Sequence, residues 1–344
     1  MKGNGTIRRL ALLLSLILVC GASAQQEETP IRVNVRLVRI LATVKDLSGA
    51  LVGSLNKEDF EVRDNGIPQK IAIFERQTDQ PLSVAVLIDS SGSTAKDLKY
   101  ETDSVTRFLR ALLREGNPED AAALYSFNWE IVKQNGFTRN VAAIDHSLRM
   151  LRGEAGTALY DAILLASRDI EDRQGRKILV VVTDGGDTIS RTDFNRATEA
   201  AQLADAVIYP ILVVPITNEA GRNIGGENAL TTFALRTGGR VFSPTLGAEM
   251  DNAFDQILRD LRTQYLLGFY PHDVPPTSDP FHTLQVAARG PELRVLARSG
   301  YYGEARQDGV SAYSGSTAAP GGPAQSGETV RPRKPQPAKT TKGP

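Results

Sequence analysis

Two rhythms of apolar and polar positions divide the chain. From Ile31 to Phe74 apolar residues alternate with polar ones in short runs, Val33-Val35-Leu37 and then Ile40-Ala42-Val44. The turn signals Asp46-Leu47-Ser48-Gly49 and Asp64-Asn65-Gly66 follow. A period of two with Asn-Gly punctuation predicts antiparallel strands joined by hairpins. Between them, Leu55 to Phe60 carries Lys57-Glu58-Asp59 between apolar ends and predicts one short helical turn.

At Leu82 the rhythm changes. An unbroken apolar run to Ile88 precedes Leu98, Val105, Phe108, Leu109 and Leu112 at helix spacing. The unit then recurs. Strands are expected at Ala121–Phe127, Ile178–Val182, Val207–Val214 and, briefly, Arg240–Phe242. Helices are expected at Val141–Leu151, Ala158–Ile170, Phe194–Ala204, near Ala229–Leu235 and at Ala248–Leu261. Alternating strands and helices predict an α/β fold, a doubly wound and mostly parallel sheet with helices on both faces. Beyond Arg262 strand character returns in Tyr265–Tyr270, Phe281–Ala287 and Leu293–Ala297, closing at Gly300-Tyr301-Tyr302. Two separate β appendages would each have too few strands for a core. The first and last strands are therefore expected to pair as one small antiparallel β-domain in which the α/β domain is inserted. The expected division is a leader over 1–24, an N-terminal β segment over 25–80, the α/β domain over 81–263, a C-terminal β segment over 264–303 and a tail over 304–344.

The ends of the chain read differently from its middle. Lys2, Arg8 and Arg9 precede an apolar run from Leu10 to Val19 and the small triplet Ala22-Ser23-Ala24. This is the pattern of a cleaved secretory signal, with cleavage expected after Ala24. The apolar run is shorter than the ~20 residues of a spanning helix. Acylation at Cys20 is the minor alternative, because Val19 before it is bulky for lipoprotein processing. Cys20 is the only cysteine, so the mature chain is expected to fold without disulfides outside the cytoplasm, secreted or in the periplasm and envelope. From Glu304 Gly, Pro, Ser, Thr and Ala dominate, with Arg331, Arg333, Lys334, Lys339 and Lys342 near the end, which predicts a disordered tail with a basic end. A weak tail contact with an anionic surface is the only membrane association this suggests.

Composition narrows the partners. With 40 basic and 40 acidic residues the formal net charge is zero, so no whole-chain field favours nucleic acid. At 344 residues, 41% hydrophobic, the chain has room for about two domains.

Chemistry concentrates in three fragments: Asp89-Ser90-Ser91-Gly92-Ser93, Gly156-Thr157 and Thr183-Asp184-Gly185. In a parallel sheet the first and third emerge at the same carboxyl edge, so their side chains can converge. Asp89, Ser91, Ser93, Thr157 and Asp184 supply hard oxygen ligands, the mixture of hydroxyls and carboxylates that Mg²⁺ accepts while keeping some waters. The spacing of the first three lets one loop wrap an ion, and Gly92 is expected to permit close backbone approach. Only two of the five are anionic, which leaves capacity for a carboxylate from outside. The competing reading is a strand-to-helix turn in which Ser or Asp caps the next helix. It weakens because all three fragments occur in the required order and element context.

These residues resemble the von Willebrand factor A domain over roughly Leu82 to Leu261: Asp-x-Ser-x-Ser, then Gly-Thr-Ala-Leu-Tyr-Asp-Ala, then Thr-Asp-Gly. In that family the motif forms a metal-ion-dependent adhesion site. The resemblance implies that Ser91 and Ser93 bind the metal directly, that Asp89 and Asp184 bind directly or through water, and that Thr157 joins or leaves with conformation. The flanks, with Asn56-Lys57-Glu58-Asp59-Phe60 and the ending Ala297-Arg298-Ser299-Gly300-Tyr301-Tyr302, resemble a secreted subfamily abundant in acidobacteria.

A catalytic reading requires a base beside Ser91 or Ser93, and no motif places His146, His272 or His282 there. The reading reached from sequence is a secreted, non-enzymatic binding module whose Mg²⁺, or Mn²⁺ or Ca²⁺, offers an open position to a carboxylate of a protein partner. The alternatives are an envelope assembly protein that binds independently of metal and, more distantly, a metal-activated hydrolase. The only tryptophan, Trp129, is expected to pack in core or loop, and to act as a contact anchor if it is exposed beside the metal.

Overall fold

The computed structural model describes residues 37–76, 80–94, 97–213, 223–245, 247–275, 279–290 and 292–303. The expected leader over 1–24, the Val33-Val35 stretch and the tail over 304–344 lie outside the described residues.

The chain opens with β1 (Val38–Lys45), a 3₁₀ turn at Lys57–Asp59, β2 (Phe60–Asp64), β3 (Ile67–Gln69) and β4 (Ile71–Glu75). The hairpin between β2 and β3 turns at Asn65 and Gly66, which take φ of 47° and 83°, the left-handed pair that an Asn-Gly dipeptide supplies. Then come β5 (Leu82–Asp89), α1 (Leu98–Glu115), β6 (Ala121–Phe127), β7 (Ile131–Thr138), α2 (Val141–Met150), α3 (Leu159–Ile170) and β8 (Arg176–Thr183). After these follow α4 (Phe194–Leu203), β9 (Ala206–Leu212), α5 (Ile224–Thr237) and α6 (Ala248–Thr263). The described part closes with β10 (Tyr265–Phe269), β11 (Phe281–Ala288), β12 (Arg294–Leu296) and β13 (Gly300–Tyr302).

Five strands form the central sheet in the order β7-β6-β5-β8-β9. The last four are parallel and β7 is an antiparallel edge. Both faces are covered, which is why β5, β6 and β8 read as unbroken apolar runs. Val84, Val86 and Ile88 pack with α1, α2 and α6 on one face, whereas Ala85 and Leu87 pack with α3, α4 and α5 on the other. The apolar stripe of α1 seats against α6, where Phe108 stacks on Phe254 at 4.8 Å between ring centres.

The strands before residue 76 pair with those after residue 265. One four-stranded sheet runs β12-β1-β10-β4 and a second runs β13-β11-β2-β3. Their inner faces share one core, in which Ile40, Phe60, Val62, Tyr265, Leu267 and Leu284 meet. Neither chain end could close this sandwich alone. Asp260 of α6, almost fully buried, ties it to the α/β layers by accepting from Lys45 Nζ of β1 at 3.3 Å and from Arg240 Nε at 2.7 Å.

One strand expectation fails and one strand goes unforeseen. Arg240–Phe242 is not a strand: Phe242 makes a single bridge to Ile211, and Pro244 two residues on has no N–H to extend a ladder. Conversely, β7 carries no sequence signal, because an edge strand with Lys133, Gln134, Asn135 and Gly136 in succession has neither alternation nor an apolar run.

Candidate metal centre

The site is assembled where strands end. β5 and β8 are parallel neighbours with Ile88 opposite Val182, so Asp89 and Thr183 leave the sheet side by side. The Thr183 hydroxyl donates to Asp89 Oδ2 at 2.6 Å and the Ser91 amide donates to Asp89 Oδ1 at 2.8 Å. Asp89 is completely buried, and this grip makes it the anchor of the loop. Thr94 folds the loop back on itself, its hydroxyl lying 3.0 Å from both the Asp89 and Ser91 carbonyls. The turn brings Ser91 Oγ and Ser93 Oγ to 3.0 Å from each other.

Thr157 reaches the same edge through its own loop. The Glu154 amide donates to the Ser90 carbonyl at 2.9 Å, and Glu154 bridges Ser91 as a parallel strand would. Thr157 is then held from the other side: its amide donates to Thr188 Oγ1 at 2.9 Å and its carbonyl accepts from the Thr188 amide at 2.9 Å. Asp187 accepts from the Tyr160 amide at 3.1 Å and from the Ser190 amide at 3.2 Å, so it clasps the start of α3 to its neighbouring loop rather than standing in solvent. Asp161 completes the clasp by accepting from the amides of Arg191 and Thr192, each at 2.9 Å.

Glycine matters at Gly156 and not at Gly92. Gly156 has φ of +90°, and a Cβ there would lie 2.8 Å from Ile189 Cδ1. At Gly92 a Cβ would meet only the Glu154 carbonyl, at 4.0 Å, so the close approach expected there is not used.

Asp184 follows directly from β8, half-buried, and its negative charge acts on Asp89. Burial pushes the Asp89 carboxyl up to about 6, against the pull of Thr183 and Ser91 and with Asp184 adding to the rise. Among the described residues, no three His, Cys, Asp or Glu side chains group as metal ligands. Serine hydroxyls around one buried aspartate dominate the centre instead, a donor set that suits a hard cation retaining part of its water shell.

Sequence reasoning missed Glu101. It lies in the first turn of α1, fully buried, and neither carboxylate oxygen has a hydrogen-bond partner among the described residues. Burial, reinforced by the charges of Asp89, Asp184 and Asp97, pushes its carboxyl up to about 8. A signal was available: Leu98, Val105, Phe108 and Leu112 define the buried stripe of α1, and Glu101 falls on that stripe.

Trp129 is on the rim. It is 46% exposed, as is Ile189, and its Cβ would be 3.3 Å from a Cβ on Gly156. The indole Nε1 donates to Glu154 Oε2 at 2.5 Å, which fixes the ring on the loop that delivers Thr157. The histidines lie elsewhere: His282 Nδ1 is 2.9 Å from Asp64 Oδ1 in the sandwich, and His272 pairs with Asp273 at 2.7 Å.

Residues 84–186 match the family described as von Willebrand factor type A domain, a span that holds all five sequence-selected residues. No curated protein sequence matches the chain. Among solved structures, the vWF domain of the type V pili tip protein Mfa5 from Porphyromonas gingivalis is similar at 16% identity, covering 52% of this chain and 94% of that one, with a TM-score of 0.42. The conserved hypothetical protein BatB from Bacteroides thetaiotaomicron is similar at 20% identity, covering 52% of this chain and 98% of that one, with a TM-score of 0.43. The PilB minor pilin from Streptococcus sanguinis is similar at 13% identity, covering 54% of this chain and 62% of that one, with a TM-score of 0.42.

Proposed function

We propose that this chain is an exported, non-enzymatic protein-binding module whose contact face is the carboxyl edge of the central sheet. Its division into leader, α/β domain, flanking β segments and basic tail belongs to the same proposal. Ser91 and Ser93 hold a divalent cation, Mg²⁺ with Mn²⁺ or Ca²⁺ as substitutes, while Asp89 and Asp184 bind it directly or through water and Thr157 closes the remaining side. When bound, the cation supplies a Lewis-acidic position to which a partner's carboxylate can add.

The observation that carries this reading is the meeting of the Ser91 and Ser93 hydroxyls at 3.0 Å over a fully buried aspartate. A capping turn has no need of it: α1 begins at Leu98, beyond this loop, and no side-chain bond from Asp97 caps it. The chain's own residues do the rest. Asp89 fixes the loop, the Thr188 and Asp187 contacts hold Thr157 in reach, and exposed Trp129 and Ile189 offer apolar area beside the charge. Exposed aromatic anchors around a central polar contact are the usual arrangement of a binding hot spot. Shape around the cation then sets selectivity, while the ionic contact sets orientation.

Calorimetric titration of Mg²⁺ and Mn²⁺ into the full chain tests this. One saturable site in the wild type that disappears in Asp89→Ala is the expected result. A wild type that takes up neither ion overturns the reading, and a partner retained in the presence of chelator would transfer the function to metal-independent assembly.

A further inference from the structure

Glu101 is a group that neither the sequence motif nor the fold accounts for. It sits at a position of α1 where Leu98 before it and Val105, Phe108 and Leu112 after it are apolar and buried. Its exposure is 0%, and neither carboxylate oxygen has a hydrogen-bond partner among the described residues. Buried polar atoms in folded proteins are almost always satisfied, and an exception calls for a water or an ion to complete it. A buried carboxylate with no partner would ordinarily be replaced by an apolar side chain, because this helix gains nothing from it as packing.

Its surroundings identify what would complete it. The Asp97 carbonyl accepts from the Glu101 amide at 3.1 Å, and the Asp97 amide donates to the Thr94 carbonyl at 2.9 Å. Thr94 in turn holds the Asp89–Ser91 turn closed. Glu101 is thus two hydrogen-bonded steps from the candidate metal loop, and the charges that act on it are Asp89, Asp184 and Asp97. Among the described residues, no Lys, Arg or His is counted with them as a charge acting on it. Two buried carboxylates, Asp89 and Glu101, and two half-buried ones, Asp97 and Asp184, act on one another with no positive side chain counted with them among the described residues, which favours a positive charge entering from outside. Among the described residues, no three carboxylates group as ligands of one ion, so Glu101 is assigned contact through water rather than a place in such a group.

We infer that Glu101 accepts hydrogen bonds from the hydration water of the cation held at Asp89, Ser91 and Ser93, and so orients that water and sets metal affinity from beneath the site. The inference rests on the proposed metal centre and adds to it a positioning residue outside the five-residue motif. Groups that hold the inner ligands or waters of a metal typically change affinity by about 10- to 100-fold when removed.

The test is Mn²⁺ and Mg²⁺ titration of the full chain as wild type, Glu101→Gln, Glu101→Met and Asp89→Ala, each also melted in chelator. Glu101→Gln is expected to weaken both ions by about 10- to 100-fold, while its melting temperature in chelator is equal to or above that of the wild type, since an unpartnered buried acid has been neutralised. Glu101→Met, apolar like the rest of the stripe, should raise the chelator melting temperature further and weaken the ions at least as much. Wild-type affinity in both Glu101 variants overturns the inference and leaves the metal centre standing. Absence of Mn²⁺ binding by the wild type, or equal binding by Asp89→Ala, removes the metal centre itself and this inference with it.

Discussion

Two buried acids in this molecule are treated in opposite ways. Asp64, in the sandwich, is fully buried and accepts from the Tyr301 hydroxyl at 2.6 Å while His282 Nδ1 lies 2.9 Å from its other oxygen. Glu101, in the first turn of α1, is equally buried and has nothing to accept from among the described residues. The first pattern is that of a structural acid. It fastens β2 to β11 and β13, strands that are 218 and 237 residues away in sequence, and the same contact together with burial keeps the Tyr301 hydroxyl protonated far above its ordinary range. The second, on the proposed reading, leaves the satisfaction of its polar atoms to a ligand. A fold can tolerate the second only because the first kind of region supplies stability elsewhere.

That contrast can be broken from either side. The largest effect is expected from Asp64→Ala, which leaves the Tyr301 hydroxyl and the His282 ring without their shared partner. Urea unfolding should show a loss of about 3 kcal/mol, near the upper end for hydrogen bonds to a charged group, with metal affinity unchanged. Next is the ligand side. Saturation with Mg²⁺ at about a hundredfold excess over its Kd should stabilise the wild type by about 2.7 kcal/mol, and Asp89→Ala should show no such gain in the same thermal scan.

The pH dependence of the metal-free chain is smaller per unit of pH. The folded carboxyls of Glu101 and Asp89 are raised to about 8 and about 6, so the folded state holds protons that the unfolded chain has released. Their contribution is complete below the ordinary carboxylate range and is lost as pH rises, through about 6 for Asp89 and about 8 for Glu101. Between these two values Glu101 alone should cost up to about 1.4 kcal/mol per pH unit. In chelator, denaturant titrations across that window should slope downward for the wild type and run nearly flat for Glu101→Gln. The smallest effects separate two glycines of the site. Gly156→Ala, at φ of +90°, should cost about 1 kcal/mol and weaken the ion by displacing Thr157, whereas Gly92→Ala should stay within about 0.5 kcal/mol.

Much of this architecture is legible in the sequence where burial is two-sided or strictly alternating. The runs at Leu82–Ile88 and Ile178–Val182 announced parallel strands because both of their faces are core, and the stripe from Leu98 to Leu112 announced α1. Asn65-Gly66 announced a hairpin because few other pairs accept its backbone angles. What was not legible depends on long-range context. The strand β7 exists because β6 offers it a free edge, not because its own residues demand it. Phe242 stops at one bridge because Pro244 follows. Ser91 and Ser93 could be proposed as ligands because their spacing is local, and Asp184 because a strand end delivers it to the edge. Glu101 was overlooked because within a helix a single acid among apolar residues looks like ordinary surface until the helix is seen to be covered at that point. Asp187 has partners, the amides of Tyr160 and Ser190, that only the meeting of two loops sets.

The central claim is that the edge carrying Asp89, Ser91 and Ser93 completes itself with a divalent cation. Anomalous diffraction from crystals of the full chain grown with Mn²⁺ addresses it most directly. The account predicts one strong peak within bonding distance of Ser91 Oγ and Ser93 Oγ, with ordered water between it and Glu101. A map with no peak at this edge, collected from crystals in millimolar Mn²⁺, would contradict it.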